Sequence, residues 1–324
     1  MKIIALLSSL IVIGGVFAAD SNRAWDDPAK AAAEDTDFLV QGEYVMKGLG
    51  LQVVALGGAK FDGYLLEGGL PGEGWDKTKK RTKLKGASEG GVVTLTHVDG
   101  LKAVIEKNVA KLTDADGKSI GELKRTERAS PSLGAKPPAG AVLLFDGTKE
   151  SLANWQSGAR ISDNGLLMEG VNSKEKFGDH TVHIEFRLPY QPTARGQGRG
   201  NSGMYLQGRH KVQMLDSFGL DGKDNECGGL YSVREPALNM CFPPLTWQTY
   251  DVDYTAAKFD DQGNKIARAK LTVRHNGVVI HKDVEVGKPT TAAPSGDEKG
   301  PGPLHLQNHG NPVRYRNIWI VPAK

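Results

Sequence analysis

The chain has 324 residues, of which 24% are charged and 39% hydrophobic, and its formal net charge is +3. This length is enough for a sizeable core and predicts two domains. A net charge this small, without a dense run of Lys or Arg interleaved with aromatic residues, gives no indication of a nucleic-acid partner.

The first 18 residues have the pattern of a secretory signal peptide. Lys2 supplies a short positive end, residues 3–16 are mostly apolar, and a cleavage pattern ends at Ala18. We therefore expect a periplasmic or extracellular mature protein. The alternative is a membrane anchor, but the apolar stretch is short for a bilayer span, and no later segment is apolar enough to cross a membrane.

The next three segments differ in composition. Residues 19–37 form a leader whose Ala-rich run either forms a short helix or stays irregular. Residues 38–128 consist of short apolar segments bounded by glycine, which predicts a small β domain. This domain has no cluster of catalytic residue types, and it could instead bind a protein or a cell-wall partner. Residues 129–140, ASPSLGAKPPAG, have the Pro and Gly content of a linker.

Residues 141–324 hold many strand-like segments and almost no helical periodicity. Antiparallel strands over this length predict an all-β domain, a two-sheet sandwich or jelly roll. The pair Asn276-Gly277 lies between two alternating segments, and this pair favours a type I′ hairpin turn.

Alternation along the predicted strands separates polar from apolar faces. In TVHIEFRL, the apolar residues from Val182 to Leu188 alternate with His183, Glu185 and Arg187. PLHLQNHG and VRYRNIWIV show the same pattern, and so does GNSGMYLQGRHKVQMLDSFG at residues 200–219. Such polar faces are usually solvated, but they can also line a concave site.

Common catalytic motifs are absent, including the paired carboxylates of conventional retaining glycosidases on one strand. However, several blocks in fixed order resemble the 3-keto-disaccharide hydrolase domain family. These blocks include VLLFDGTKESLANWQ, HIEFRL, residues 200–219, PPLTWQTYDVDY and GPLHLQNHGNPVRYRNIWIVP. The resemblance covers about residues 141–322. It implies a concanavalin A-like sandwich and cleavage of glycosides oxidised to a ketone at sugar carbon 3.

A ketone at carbon 3 acidifies the hydrogen on carbon 2, so a base can start elimination of the group on carbon 1. Water can then add back to give net hydrolysis. Such a site needs a base, a donor or cation at the enolate oxygen, and an acid for the leaving group. We assign the catalytic roles to three candidates: Glu185, His309 and Asp216. The candidates for substrate binding are Arg209, Gln213, Arg316 and Asn201.

Asp216 is the weakest candidate, because strict alternation places it on the side of Met214 rather than of Gln213. No cofactor is indicated with certainty, although a divalent ion held by Glu185, Asp216 and His309 could replace an arginine as electrophile. The two cysteines, Cys227 and Cys241, are a candidate disulfide in an oxidising compartment or else two buried thiols. The alternative function is that of a non-catalytic, lectin-like carbohydrate-binding protein.

Overall fold

The computed structural model describes residues 23–323, and the predicted signal peptide lies outside the described residues. The leader forms two short helices, α1 (Pro28–Glu34) and α2 (Thr36–Val40). Asp27 caps α1 by accepting the backbone N–H of Lys30 at 3.0 Å, and proline begins the helix. No helix within residues 23–323 is long and apolar enough to cross a membrane.

The segment predicted as a small β domain closes into an eight-stranded antiparallel barrel. Its strands, with a short parallel pair β4–β5 beside them, are β1 (Gly42–Met46), β2 (Leu49–Gly57), β3 (Lys60–Glu67), β4 (Leu70–Pro71), β5 (Gly74–Trp75), β6 (Arg81–Glu89), β7 (Val92–Thr96), β8 (Lys102–Glu106), β9 (Val109–Thr113) and β10 (Ser119–Thr126). The order around the barrel is β1-β10-β9-β8-β7-β6-β3-β2.

The barrel interior is filled by apolar side chains that alternate along its strands, including Leu51, Phe61 and Leu95. Gly86 on β6 permits a close approach of neighbouring backbone. A Cβ atom at this position would lie 1.7 Å from the carbonyl oxygen of Thr94. The interior is therefore a packed core.

The C-terminal region is a two-sheet sandwich, which confirms the predicted all-β fold. Its strands and two 3₁₀ turns are β11 (Val142–Phe145), a 3₁₀ turn (Glu150–Asn154), β12 (Leu167–Met168), β13 (Val171–Phe177), β14 (His180–Arg187), a 3₁₀ turn (Gly196–Gly198), β15 (Asn201–Leu206), β16 (His210–Leu215), β17 (Trp247–Thr255), β18 (Lys258–Phe259), β19 (Lys265–Ala267), β20 (Ala269–His275), β21 (Val278–Val286), β22 (Gly302–Leu306) and β23 (Arg314–Pro322).

The larger sheet has seven strands in the order β11-β23-β14-β17-β20-β21, with β12 also paired to β23. The smaller sheet has four strands in the order β13-β22-β15-β16. Val182, Ile184 and Phe186 on β14 are fully buried between the sheets, as their alternation predicts. Asn276 and Gly277 have φ angles of 49° and 80°, which confirms the predicted turn between β20 and β21.

Barrel and sandwich share one apolar cluster. Val54, Tyr64 and Trp75 of the barrel belong to the same core as Phe218 and Phe242 of the sandwich. The Pro/Gly-rich connection of residues 129–140 is also packed, with Pro131 against Gly277. The connecting segment therefore lies along the sandwich, and its path covers part of the seven-stranded sheet.

Candidate functional site

The polar face of β14 lies on the outside of the seven-stranded sheet, beneath the connecting segment. Glu185 is 1% exposed there and has four polar partners. Arg316 Nε lies 2.6 Å from its Oε2, while Asn317 Nδ2 and the backbone N–H of Gly134 lie 2.8 Å and 2.6 Å from its Oε1. The fourth partner, His183 Nε2, lies 3.8 Å from Oε1, at ion-pair distance. These contacts attach the connecting segment to the sheet.

His183 extends the same network towards β17. Its Nδ1 lies 2.6 Å from Asp251 Oδ1, and its ring stacks on Trp319 at 5.0 Å. Asp251 also accepts the hydroxyl of Ser132 in the connecting segment at 2.6 Å. Burial opposes protonation of His183, but its carboxylate partners outweigh burial and raise its pKa.

The charge of Glu185 is already satisfied within this network. Burial alone would raise its pKa, but hydrogen bonds from His183, Asn317, Arg316 and Gly134 together lower the pKa to about 2. A carboxylate with four polar partners and so low a pKa is a weak base. The arrangement is therefore suited to holding the connecting segment in place.

Arg209, Asp216 and His309 lie in three other environments. Arg209 holds the loop before β22 through the carbonyl oxygens of Lys299 and Gly300, each at 2.8 Å. Asp216, buried at the end of β16, is paired with Arg199 at 2.6 Å. His309 is exposed in the loop after β22. The structure does not bring these three residues together with Glu185.

These positions bear on the possible metal. The described residues 23–323 contain no group of three or more His, Cys, Asp or Glu side chains that could hold a metal ion. Glu185, Asp216 and His309 therefore do not fit a shared metal. Of the two alternatives for Cys227 and Cys241, a disulfide or two buried thiols, the structure has two buried free thiols.

A different set of polar residues lies on the outer face of the four-stranded sheet. Cross-strand pairing aligns one residue from each strand: Asn172 pairs with His305, His305 with Tyr205, and Tyr205 with Lys211. The backbone N–H of Tyr231 then binds the carbonyl oxygen of Lys211 at 3.1 Å and extends the line beyond the sheet edge. We call these five residues the transverse row.

A second line of amides lies beside the transverse row. Gln213 and Asn201 share the outer face, and both contact Gln197, with Gln213 Nε2 at 3.0 Å and Asn201 Nδ2 at 3.1 Å from its Oε1. Gln307 lies across Gly203, to whose carbonyl oxygen its backbone N–H donates at 2.9 Å. The side-chain oxygens of Gln213 and Gln307 are buried without a partner in the described part of the chain. Such amides are suited to binding sugar hydroxyl groups.

Lys211 is the charged centre of the transverse row. It is 2% exposed and its side chain lies across Gly203, where a Cβ atom would be 2.1 Å from Lys211 Cε. Within residues 23–323, its ammonium group contacts only the rings of Tyr231 and Tyr205, with centroids 4.3 Å and 5.7 Å from Nζ. Burial lowers the pKa of Lys211 to about 7 because no carboxylate offsets the cost of the charge.

His305 lies two strands away from Lys211 and is neutral at physiological pH. Burial lowers its pKa to about 4, and the nearby charge of Lys211 contributes in the same direction. Its Nδ1 lies 2.9 Å from Asn172 Oδ1, and in the tautomer in which Nδ1 donates to this oxygen, Nε2 carries the free lone pair. The row therefore contains a neutral imidazole and a readily deprotonated amine.

Sequence reasoning found Gln213 and Asn201 but did not select Lys211, Tyr205, His305 or Asn172. Alternation already placed Lys211 beside Gln213, and His305 beside Gln307. However, the pairing of β15 with β22 joins residues about 100 positions apart, and alternation within one strand carries no information about this register.

Residues 140–321 match the family model of the 3-keto-alpha-glucoside-1,2-lyase-like domain. Among solved structures, the chain is similar to a candidate glycosyl hydrolase from Parabacteroides distasonis ATCC 8503 in a 2.13 Å crystal structure. The two are 33% identical, with 57% of this chain and 85% of that chain covered and a TM-score of 0.53. A second candidate glycosyl hydrolase from the same organism, at 1.70 Å, is 16% identical, with 57% and 95% covered and a TM-score of 0.43. No curated protein matches the chain. Because the family model covers more than half of the sequence, this chain belongs to the 3-keto-alpha-glucoside-1,2-lyase-like domain family.

Proposed function

We propose that this protein cleaves glycosides that carry a ketone at sugar carbon 3, and that the outer face of the four-stranded sheet is its active site. Family membership and the similarity to a candidate glycosyl hydrolase support a glycoside hydrolase or lyase. The proposed location of the active site rests on one observation: Lys211 is buried without a counter-ion among the described residues and lies in the same row as a neutral histidine. Export to the periplasm or cell exterior is part of this proposal and rests on residues 1–18.

In the proposed reaction, His305 removes the hydrogen on carbon 2. Its Nε2 lone pair is available in the tautomer in which Nδ1 donates its proton to Asn172. The electron pair of the broken C–H bond moves towards carbon 3, and the carbon 1–oxygen bond then breaks. The imidazolium formed at His305 carries the proton that the leaving oxygen requires.

Lys211 lies on the opposite side of the proposed substrate position. Its Cα and that of His305 are separated by two strand spacings, roughly 9–10 Å, and Tyr205 lies on the strand between them. The amino group can therefore face the ketone while the imidazole faces carbon 2. Gln213, Gln307 and Asn201 bind the remaining hydroxyl groups in this arrangement.

The test compares 3-keto-glucosides with their parent glucosides and measures release of the aglycone by the purified protein. We expect release from the ketone substrates alone, and a loss of at least tenfold in kcat/KM for Lys211→Ala and His305→Ala, equal to about 1.4 kcal/mol of transition-state stabilisation. Lys270→Ala, at an exposed position, and His97→Ala, at a partly exposed position of the barrel, are matched controls outside the row.

Two results would contradict the proposal. Absence of aglycone release from every 3-keto-glycoside would exclude the activity, and binding of unoxidised glycans without turnover would instead support the lectin-like alternative. Full activity in both Lys211→Ala and His305→Ala would be compatible with the proposed reaction but would show that the transverse row is not its active site.

A further inference from the structure

We propose that Lys211 is a covalent catalyst, whose amino group forms an iminium ion with the substrate ketone before the hydrogen on carbon 2 is removed. This inference rests on the proposed function, which supplies a ketone at carbon 3. It assigns to Lys211 a bond to the substrate in place of a purely electrostatic contact.

The surroundings of Lys211 are those that a nucleophilic amine requires. Within residues 23–323, no carboxylate pairs with its ammonium group, and the contacts it makes are to the rings of Tyr231 and Tyr205. A charged lysine is poorly solvated between two aromatic rings at 2% exposure, so the neutral amine is favoured. The lowered pKa of Lys211, about 7, agrees with this, since about half of the amine is then unprotonated at neutral pH.

The geometry of the sheet also favours one approach to the amine. Gly203 lies beneath the side chain and has no side chain of its own, so Lys211 lies along the sheet surface over Gly203, which pairs with Gln213 in the neighbouring line of amides. The partly exposed residues His305 and Asn172 lie at the other end of the row.

The bonds made and broken balance without a further reagent. The neutral amine adds to carbon 3, and the resulting carbinolamine takes up one proton from solvent as it loses water, which gives an iminium ion with a C=N bond; the final hydrolysis returns this proton. Nε2 of His305 takes the hydrogen from carbon 2, and the electron pair forms the enamine. The enamine then restores the C=N bond, forms a double bond between carbons 1 and 2, and expels the aglycone, which takes the proton from His305. Water finally hydrolyses the iminium ion and releases the lysine and the ketone.

An iminium ion acidifies the neighbouring C–H bond more strongly than a ketone does, because nitrogen already carries the positive charge. This explains how a neutral histidine with a pKa of about 4 can act as the base. If a positively charged lysine only faced the ketone, no iminium ion would form and the hydrogen on carbon 2 would be less acidic. A base as weak as His305 would then remove this hydrogen less readily.

The test is reductive trapping on the full chain. The protein is incubated with a 3-keto-glucoside and sodium cyanoborohydride, the intact mass is measured, and a peptide map locates the modified residue. We expect an adduct on the peptide that contains Lys211, and no adduct there in Lys211→Arg, which keeps the charge but removes the nucleophile. The control variant Lys270→Arg, changed at an exposed position, should still form the adduct on Lys211.

Aglycone release is measured in parallel, so that the two proposals fail separately. Absence of an adduct on Lys211 would overturn the inference whether or not aglycone is released. An adduct on Lys211 without aglycone release would support the reactive amine and overturn the proposed cleavage. Lys211→Arg should also lower kcat at least about a hundredfold, and retention of wild-type kcat would show that the charge alone is sufficient.

Discussion

The charge state of Lys211 depends on two things that its surroundings in the described chain lack, which are solvent and a carboxylate partner. A lysine on an exposed strand keeps its charge, whereas here two tyrosine rings replace solvent and no carboxylate compensates. The groups that face it are Tyr205 from β15, Tyr231 from the β16–β17 connection and, across the row, His305 from β22. Burial raises the pKa of Tyr205 to about 12 and lowers that of His305 to about 4, so both of these groups are neutral at pH 7.

A pH profile should therefore show the ionisation of Lys211. We expect kcat/KM for a 3-keto-glucoside to rise with pH through about 7 as the amine loses its proton, and to reach a plateau above that. The neutral form is the nucleophile, so activity is lost on the acidic side. A rate that falls as pH rises through 7 would indicate instead that the ammonium form is the active one.

Gly203 gives an independent test of the position of the amine. Gly203→Ala places a Cβ atom 2.1 Å from Lys211 Cε, so the lysine must move away from its place on the sheet. We expect at least a tenfold loss of kcat/KM, with a smaller effect on thermal unfolding because only a flexible side chain is displaced. Gly178→Ala is the matched control, since no atom lies within 4 Å of its added Cβ. Equal activity of both variants would contradict the assigned role of Lys211.

At the scale of elements, alternation predicted which residues of β14 share a face but not what covers that face. His183, Glu185 and Arg187 do lie opposite the core residues. The cover is residues 129–140, whose Pro and Gly content predicts a linker and gives no information about packing. The candidate roles of Glu185 and Arg316 assumed an open face, whereas both residues contact each other beneath this segment.

Glu185→Gln should accordingly loosen the connecting segment. The amide keeps some hydrogen bonds but loses the charge that pairs with Arg316. We therefore expect the free energy of unfolding to fall by about 1–3 kcal/mol. The lowered pKa of Glu185 contributes stability that is present above pH 4.5 and is lost as pH falls towards 2. The difference in unfolding free energy between wild type and Glu185→Gln should therefore become smaller in acid.

Hydrogen exchange at residues 130–137 and chemical denaturation would measure these changes. A loss of kcat in Glu185→Gln beyond the loss of folded protein would instead support Glu185 as the catalytic base. Unchanged exchange and unchanged stability would show that the network does not hold the segment.

At the scale of the whole molecule, composition predicted two regions but gave no sign that they share a core. Phe218 of the sandwich packs in one cluster with Val54 and Tyr64 of the barrel. Strand pattern reports which side chains are apolar, but long-range contacts between regions depend on register and loop paths that no local pattern encodes. The sequence of residues 38–128 showed short strand-like segments, but neither their full number nor their closure into an eight-stranded ring could be recognised from it.

Gly219 lies at this shared surface and tests the coupling of the two regions. A Cβ atom there would lie 2.6 Å from Val54 in the barrel. We expect Gly219→Ala to lower the melting temperature of a single transition that includes both regions. Gly117→Ala is the matched control for backbone strain, because its φ of 79° resembles the 75° of Gly219 while its Cβ meets no atom within 4 Å. Two separate transitions in calorimetry would show that barrel and sandwich unfold independently.

The position of β23 has a consequence for how the chain acquires its fold. This C-terminal strand lies between β11, the first strand of the sandwich, and β14. The polypeptide must therefore be available through β23 before the larger sheet can become continuous, and the pairing joins segments more than 170 residues apart. Topologies with such high contact order fold slowly. A nascent chain that lacks β23 would leave β11 and β14 with unpaired edges, so during synthesis and any export it would depend on being kept from aggregation until β23 is available.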